Sequence, residues 1–440
     1  MKNTRRSLPV VLLLLFLLQI SVPVYASESG LPSVAAQAYI VMDASTGQVL
    51  VQHDGQERRY PASITKIMTA ALVLELCGPD LSQQLTVSDE AISALEPGSS
   101  SISLCAGETL TLNDALHALI LKSANDGANA LAEYSAGSIT AFVELMNQKA
   151  AELGMLDTHF SNPSGLHEDT HYTTAKDIAV LTRWALDVPG FDDLLRRPQY
   201  TMQPTNKYPL SRIFESDNLL LSGAMFYSGI VGGKSGWTPE AGFTMMEVVQ
   251  RNGHTFIAVV LDCPRKTDRY LDCAALFDYC FENFYAVEPS DLVSCLPSVS
   301  ILSDGKKIGT VQLMPNSTFF MPNIYTLGNV QFNYSVPETY SLGDVFTASV
   351  TLLSAEDPKK IICTLPLVPD PSAVEALRVN TNAQETMPNM MRMAVMGGGV
   401  SLLSFLFALR ASRLNTIRRK AAQKHLRHTL LQRMTSPPER

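Results

Sequence analysis

Two strand-like segments separated by Asn252-Gly253 place the strongest constraint on how this chain can fold. Residues 243–249 and 255–261 are apolar and rich in strand formers, and Asn-Gly is the most characteristic dipeptide of a two-residue β-hairpin. A second strand, turn and strand pattern occupies residues 38–51. Because hairpins join antiparallel strands, the sequence predicts an antiparallel sheet with strands from both ends of residues 27–286.

Helical patterns fill the sequence between these two hairpins. Apolar side chains recur at helical spacing at Leu112, Ala115, Leu116, Leu119 and Ile120. Further helices are predicted over residues 63–76, 126–136, 139–153 and 174–187. The predicted fold class is therefore α+β, with helices flanking an antiparallel sheet in one domain over residues 27–286.

The sequence changes character after residue 286. Residues 287–369 contain short alternating segments, such as 307–313 and 345–350, which predict a small all-β domain. Pro369-Asp370-Pro371 then begins a polar stretch. We interpret residues 370–391 as a linker.

Both ends of the chain combine apolar and basic residues. Residues 1–26 have a basic start, an apolar run and a small residue at the end, which predicts a cleavable secretory signal peptide. The apolar run 393–409 precedes a basic segment, which predicts a C-terminal membrane helix over residues 392–410 and a cytoplasmic tail over 411–440. The alternatives are an uncleaved anchor at the start and an amphipathic surface helix at the end. We expect an exported body anchored to membrane lipid on the extracytoplasmic side.

The charge of this body argues against a nucleic-acid partner. Residues 27–409 hold 22 Lys and Arg against 41 Asp and Glu, whereas a phosphate backbone requires a basic face. At 46% hydrophobic residues, the 440-residue chain is also too apolar for a disordered protein.

Three short motifs carry the candidate chemistry. Ser63 and Lys66 are three residues apart at a predicted helix start, which places a hydroxyl and an amine on one face. A serine becomes a nucleophile when a neighbouring base accepts its proton, and a buried lysine can be neutral enough to do so. The other two motifs are Ser123-Ala124-Asn125, after a predicted helix, and Lys234-Ser235-Gly236, in the strand region. Each motif alone also fits a surface helix, a helix cap or a strand edge.

Together, in this order and in these contexts, the three motifs resemble those of the serine D-alanyl-D-alanine carboxypeptidases, the low-molecular-weight penicillin-binding proteins. The resemblance covers roughly residues 33–286 and extends to segments 158–166, 171–177 and 233–242. Ser235 stands where the family usually has threonine, which keeps the hydroxyl. The resemblance implies a DD-peptidase/β-lactamase-like catalytic domain, a C-terminal β-rich domain and a membrane attachment.

The resemblance also implies a role for the first two motifs. Ser63 would attack the carbonyl of the penultimate D-Ala, and Lys66 would accept its proton. Ser123 would pass a proton to the leaving D-Ala nitrogen. Asn125 would hydrogen-bond the peptide of the substrate.

The third motif is implied to bind the substrate. Lys234 and Ser235 would hold the terminal carboxylate, and Gly236 would let the substrate lie against the strand. The backbone N–H groups of Ser63 and Trp237 would stabilise the oxyanion. The implied partners are peptidoglycan stem peptides, with β-lactams as inhibitors, and the chemistry calls for no metal and no cofactor.

Several alternatives share these residues. A D,D-endopeptidase or transpeptidase would use the same acyl-enzyme, and a silent penicillin-binding wall protein would keep the fold without turnover. His167 and His171 match the zinc motif His-Glu-x-x-His, but the residues around them do not predict a helix. Glu168 also lacks the sequence context of the deacylating glutamate of class A β-lactamases. We therefore expect penicillin to acylate Ser63 and to leave slowly.

Overall fold

A computed structural model describes residues 30–223 and 225–385 of the chain. The predicted signal peptide over 1–26, the membrane anchor over 392–410 and the tail over 411–440 lie outside the described residues. Among the residues that are described, no helix is both long enough and apolar enough to cross a membrane.

Two compact units divide the described residues. The first comprises residues 30–296, 314–337 and 346–368, and it contains all the predicted site residues. Its elements as far as residue 283 are β1 (Ala38–Asp43), β2 (Val49–His53), a 3-10 turn (Ala62–Thr65), α1 (Lys66–Cys77), β3 (Gln84–Thr86), α2 (Asp89–Ser93), β4 (Thr109–Thr111), α3 (Leu112–Leu121), α4 (Asn125–Ala136), α5 (Ile139–Glu152), α6 (Ala175–Asp187), α7 (Phe191–Arg196), β5 (Gln199–Met202), β6 (Arg212–Glu215), β7 (Ile230–Thr238), β8 (Gly242–Arg251), β9 (His254–Cys263) and α8 (Asp268–Asn283).

The predicted antiparallel sheet is confirmed. Its five strands lie in the order β2-β1-β9-β8-β7, and every neighbouring pair is antiparallel. Asn252 and Gly253 have φ angles of 53° and 82°, the left-handed pair that a type I′ turn between β8 and β9 requires. The pairing of β1 with β9 joins the N-terminal hairpin to the later strands. Strand β7 is left at an edge of the sheet.

Helices cover this sheet, as the α+β prediction states. Ile40 and Met42 on β1 join a core formed largely by α1, α3, α4, α5 and α6. The alternate residue Val41 is also completely buried, and α8 packs on β8 and β9. Since successive strand residues point to opposite faces, burial of both sets means that both faces of the sheet are covered.

Strands also occupy the sequence beyond α8. In the first unit they are β10 (Phe284–Val287), β13 (Phe319–Pro322), β14 (Val330–Ser335), β16 (Ser349–Ser354) and β17 (Ile361–Pro369), with short helical turns at Pro289–Leu292, named α9, and Val293–Cys295. The second unit, residues 297–313, 338–345 and 369–385, contains β11 (Ser298–Ser303), β12 (Lys306–Pro315), β15 (Thr339–Ser341) and α10 (Pro371–Glu385). The boundary predicted between 286 and 287 stays a prediction.

The segment interpreted as a linker, 370–391, is helical where it is described. Helix α10 begins at Pro371, and the Asp370 carboxylate accepts hydrogen bonds from the backbone N–H and the hydroxyl of Ser372. Aspartate before a helix caps its first free N–H groups, and proline is well suited to the first helical position. The sequence interpretation treated Pro369-Asp370-Pro371 as the start of a linker, whereas Pro369 ends β17 and Pro371 begins the helix.

Candidate active site

The 3-10 turn and the start of α1 hold Ser63 and Lys66 together. Lys66 Nζ lies 3.0 Å from Ser63 Oγ, 2.8 Å from Asn125 Oδ1 and 2.6 Å from the Ser164 carbonyl oxygen. Lys66 is completely buried, and this burial, with the positive charge of Lys234 nearby, lowers its pKa well below the ordinary lysine value. A neutral amine can donate its two N–H bonds to Asn125 and Ser164. Its lone pair is then free to accept the Ser63 proton.

The loop at residues 162–165 supplies the carbonyl that sequence reasoning missed. Pro163 O accepts a 2.6 Å hydrogen bond from Thr69 Oγ1, which ties the loop to α1. Gly165 has a φ of 84°, and a Cβ there would lie 2.0 Å from Ala62 O. Glycine therefore lets the loop approach the 3-10 turn closely enough for Ser164 O to reach the lysine. Segment 158–166, to which the family resemblance extends, thus brings the Ser164 carbonyl to Lys66.

The second motif enters the site from the start of α4. Asn125 is the first residue of that helix and contacts Lys66 through its side-chain oxygen. Ser123 has a φ of 55°, and its Oγ is buried without a hydrogen-bond partner among the described residues. An unpaired buried hydroxyl is unfavourable by roughly 1–3 kcal/mol, so its retention fits a group that acts on a substrate. Its role in proton transfer stays a prediction.

The third motif lies on the edge strand β7. Lys234 is buried, and its Nζ donates a 2.8 Å hydrogen bond to Ser235 O. Burial lowers the pKa of Lys234 to about 8, while Asp217 opposes this shift and Arg269 adds to it. A Cβ on Gly236 would lie 2.8 Å from Ser63 N, so the strand passes directly beside the nucleophile. The Trp237 side chain is exposed, and the oxyanion role of its N–H stays a prediction.

Arg269, which the sequence analysis did not single out, contacts this strand. It is buried on α8, and its Nη1 donates a 3.2 Å hydrogen bond to Gly236 O. Its Nη2 donates to Tyr270 Oη at 2.9 Å and lies 3.9 Å from the Asp217 carboxylate. The Asp217 carboxylate in turn accepts a 3.1 Å hydrogen bond from Ser235 Oγ. The Arg269 guanidinium and the Asp217 carboxylate therefore both lie next to the third motif.

The histidine pair of the zinc alternative lies in a loop and does not form a helical face. His171 accepts a hydrogen bond from Ser161 N at Nδ1 and pairs with Thr65 Oγ1 at Nε2, 2.9 Å away. Burial lowers the pKa of His171 to about 3, so the ring is neutral. Nε2 thus contacts the 3-10 turn and Nδ1 contacts Ser161, so both ring nitrogens already have hydrogen-bond partners. Glu168 is exposed and accepts a hydrogen bond from Asn162.

Comparison with known proteins identifies relatives of this chain. A family model described as D-alanyl-D-alanine carboxypeptidase matches residues 25–265. The D-alanyl-D-alanine carboxypeptidase DacF of Bacillus subtilis is 30% identical over 288 residues, which is 64% of this chain and 72% of the relative. DacC of Escherichia coli is 31% identical and covers 62% of this chain and 68% of its own.

Solved structures show the same fold. The DD-transpeptidase of Streptomyces K15 is 29% identical, covers 57% of this chain and 99% of its own, and superposes with a TM-score of 0.54. Penicillin-binding protein 5 of Haemophilus influenzae, at 24% identity, matches in fold over 77% of this chain and 97% of its own with a TM-score of 0.63. The chain therefore belongs to the Peptidase S11 family, the D-alanyl-D-alanine carboxypeptidases.

Proposed function

We propose that this chain is a serine D-alanyl-D-alanine carboxypeptidase that removes the terminal D-Ala of peptidoglycan stem peptides. The observation that carries the proposal is the buried Lys66 amine, 3.0 Å from Ser63 Oγ and engaged by Asn125 and Ser164 O. A lysine with a lowered pKa beside a hydroxyl is the arrangement that activates a serine nucleophile.

The acylation step follows from this arrangement. Ser63 Oγ attacks the carbonyl carbon of the penultimate D-Ala while Lys66 Nζ accepts the hydroxyl proton. The N–H groups of Ser63 and Trp237 bind the oxyanion as it forms. The peptide C–N bond then breaks, and a proton reaches the leaving nitrogen through Ser123. Water hydrolyses the resulting ester and releases the shortened peptide.

The substrate carboxylate selects the cleavage position. A peptide lying along the free edge of β7 brings its C-terminus toward Lys234, Ser235 and Arg269. A charged amine and a guanidinium in a buried setting bind a carboxylate more strongly than they would in water. The site is therefore expected to act on the last peptide bond of a chain with a free carboxylate.

Release of D-alanine from diacetyl-L-Lys-D-Ala-D-Ala by the purified full-length chain tests the proposal. We expect release to be abolished by Ser63→Ala and by benzylpenicillin, and to be unchanged by a metal chelator. Release that survives in Ser63→Ala and disappears with chelator would instead support a metal enzyme at His167 and His171.

A transpeptidase is the second candidate, because a structure that matches this chain at 29% identity is a DD-transpeptidase. The two activities share the acyl-enzyme and differ in whether water or an amine attacks it. Adding glycine or a diamino-acid peptide to the assay and measuring the ratio of aminolysis to hydrolysis distinguishes them. Stoichiometric penicillin labelling without any turnover would favour a silent binding protein.

We further propose that the enzyme is exported and attached to the membrane through residues 392–410. The proposal rests on the signal-like segment 1–26 and on the basic residues that follow the second apolar segment. Deletion of residues 392–440 is expected to move the protein from the membrane fraction to the soluble fraction outside the cytoplasm. Unchanged sedimentation with membranes would contradict this attachment.

A further inference from the structure

The carboxylate of Asp217 faces the groups that the proposed function assigns to the substrate carboxylate. Ser235 Oγ donates to Asp217 Oδ2 at 3.1 Å, and Arg269 Nη2 lies 3.9 Å from the same oxygen. The negative charge of Asp217 also raises the pKa of Lys234 against the effect of burial. The groups proposed to bind the substrate carboxylate therefore already contact or adjoin a carboxylate of the protein itself, that of Asp217.

The backbone around Asp217 is anchored in this position. Tyr270 Oη donates a 2.9 Å hydrogen bond to Asp217 O. Asn218 Nδ2 donates to both carboxyl oxygens of the fully buried Glu247, at 3.0 and 2.8 Å. Asn218 Oδ1 accepts from Leu220 N at 3.0 Å. These contacts hold the residue against α8 and β8, so its position beside Ser235 is part of the fold.

The backbone of Asp217 is anchored, but its side chain is largely exposed to solvent. It is 57% exposed, whereas the Arg269 side chain is 3% exposed. An exposed carboxylate can turn toward water at little cost, because its charge stays solvated. The buried guanidinium of Arg269 cannot turn toward water with it. Asp217 can therefore leave the binding groups when another carboxylate arrives.

We propose that Asp217 is a specificity-determining residue, a resident carboxylate that competes with the terminal carboxylate of the substrate for Ser235 and Arg269. The proposal rests on the proposed function, since it concerns the same binding groups. Two carboxylates near one cationic site repel each other, so the resident one weakens binding of peptides with a free C-terminus. It also favours departure of the product D-alanine, which carries the same carboxylate.

Peptide binding measured without turnover tests this proposal. The full-length Ser63→Ala chain is titrated calorimetrically with diacetyl-L-Lys-D-Ala-D-Ala and with the same peptide as its C-terminal amide. Adding Asp217→Asn is expected to lower the Kd for the acid about three- to fivefold and to leave the Kd for the amide unchanged. Asp217→Glu, which keeps the charge, is expected to retain the weaker binding.

Glu215→Gln is the matched control, because it removes one exposed carboxylate two residues away on β6. It is expected to change neither Kd. The inference is overturned if Asp217→Asn leaves the Kd for the acid unchanged, or if it changes the Kd for both peptides equally. Failure of the Ser63→Ala chain to bind either peptide would refute the proposed function and the inference with it.

Discussion

The buried Lys234 makes the pH dependence of this enzyme a direct test of the site. Burial lowers the pKa of this lysine to about 8, and the proposed function assigns its charged ammonium to the substrate carboxylate. A lysine is charged below its pKa, so the contribution of Lys234 to substrate binding is retained below pH 8 and lost above it. One pH unit above the pKa about a tenth of the amine is charged, and kcat/KM is expected to be about tenfold lower.

The acidic side of the profile comes from Lys66, which must be neutral to accept the Ser63 proton. Its pKa lies well below the ordinary lysine value, so the active form persists as the pH falls until this pKa is reached. The profile of kcat/KM is therefore bell-shaped. Because the two lysines repel each other, its two apparent pKa values belong to the pair.

The assay is D-alanine release from diacetyl-L-Lys-D-Ala-D-Ala between pH 5 and 10. In Lys234→Arg the guanidinium stays charged throughout this range, so the alkaline fall of kcat/KM is expected to disappear. Lys122→Arg, at an exposed lysine, is the control and should keep the wild-type profile. A wild-type profile that is flat to pH 10, or an alkaline fall that persists in Lys234→Arg, would refute the reasoning.

Two further predictions concern the scaffold of the site. Gly165→Ala is expected to lower the free energy of unfolding by more than about 2 kcal/mol in urea, because the new Cβ would meet Ala62 O at 2.0 Å. Gly137→Ala, with a similar φ of 83° and open space around it, should be affected less; equal effects would contradict the steric account. Burial raises the pKa of Glu247 well above its ordinary value, so its contribution to stability is present below the unfolded pKa and is lost as pH rises. The stability of Glu247→Gln relative to wild type should therefore increase by up to about 1.4 kcal/mol for each pH unit above pH 5. Thermal unfolding of both proteins at several pH values measures this difference, and a difference that is constant with pH would contradict the prediction.

Local patterns in the sequence were sufficient to predict four of the five strands of the main sheet and the five helices α1, α3, α4, α5 and α6. The apolar repeat from Leu112 to Ile120 is helix α3, and the Asn252-Gly253 turn joins β8 to β9. Helix periodicity and turn chemistry are properties of neighbouring residues, so they can be read without tertiary contacts. The helix at Pro371–Glu385 was missed because proline can either end a helix or begin one.

The order of the three motifs likewise identifies Ser63, Lys66, Asn125 and Lys234 from the sequence. The structure brings these residues to one site, as the resemblance implies. Their types are constrained by the chemistry proposed for each, and for that reason they stand out in the sequence.

The partners of the motif residues were decided by the tertiary structure alone. Ser164 contributes only a backbone carbonyl to Lys66, and any residue type carries that group. Asp217 and Arg269 are ordinary charged residues in sequence, and they become part of the site because α8 and the segment before β7 both contact the strand at Ser235 and Gly236. Such contacts join residues far apart in the chain, so the sequence determined which groups could react, whereas folding determined the charges that surround them.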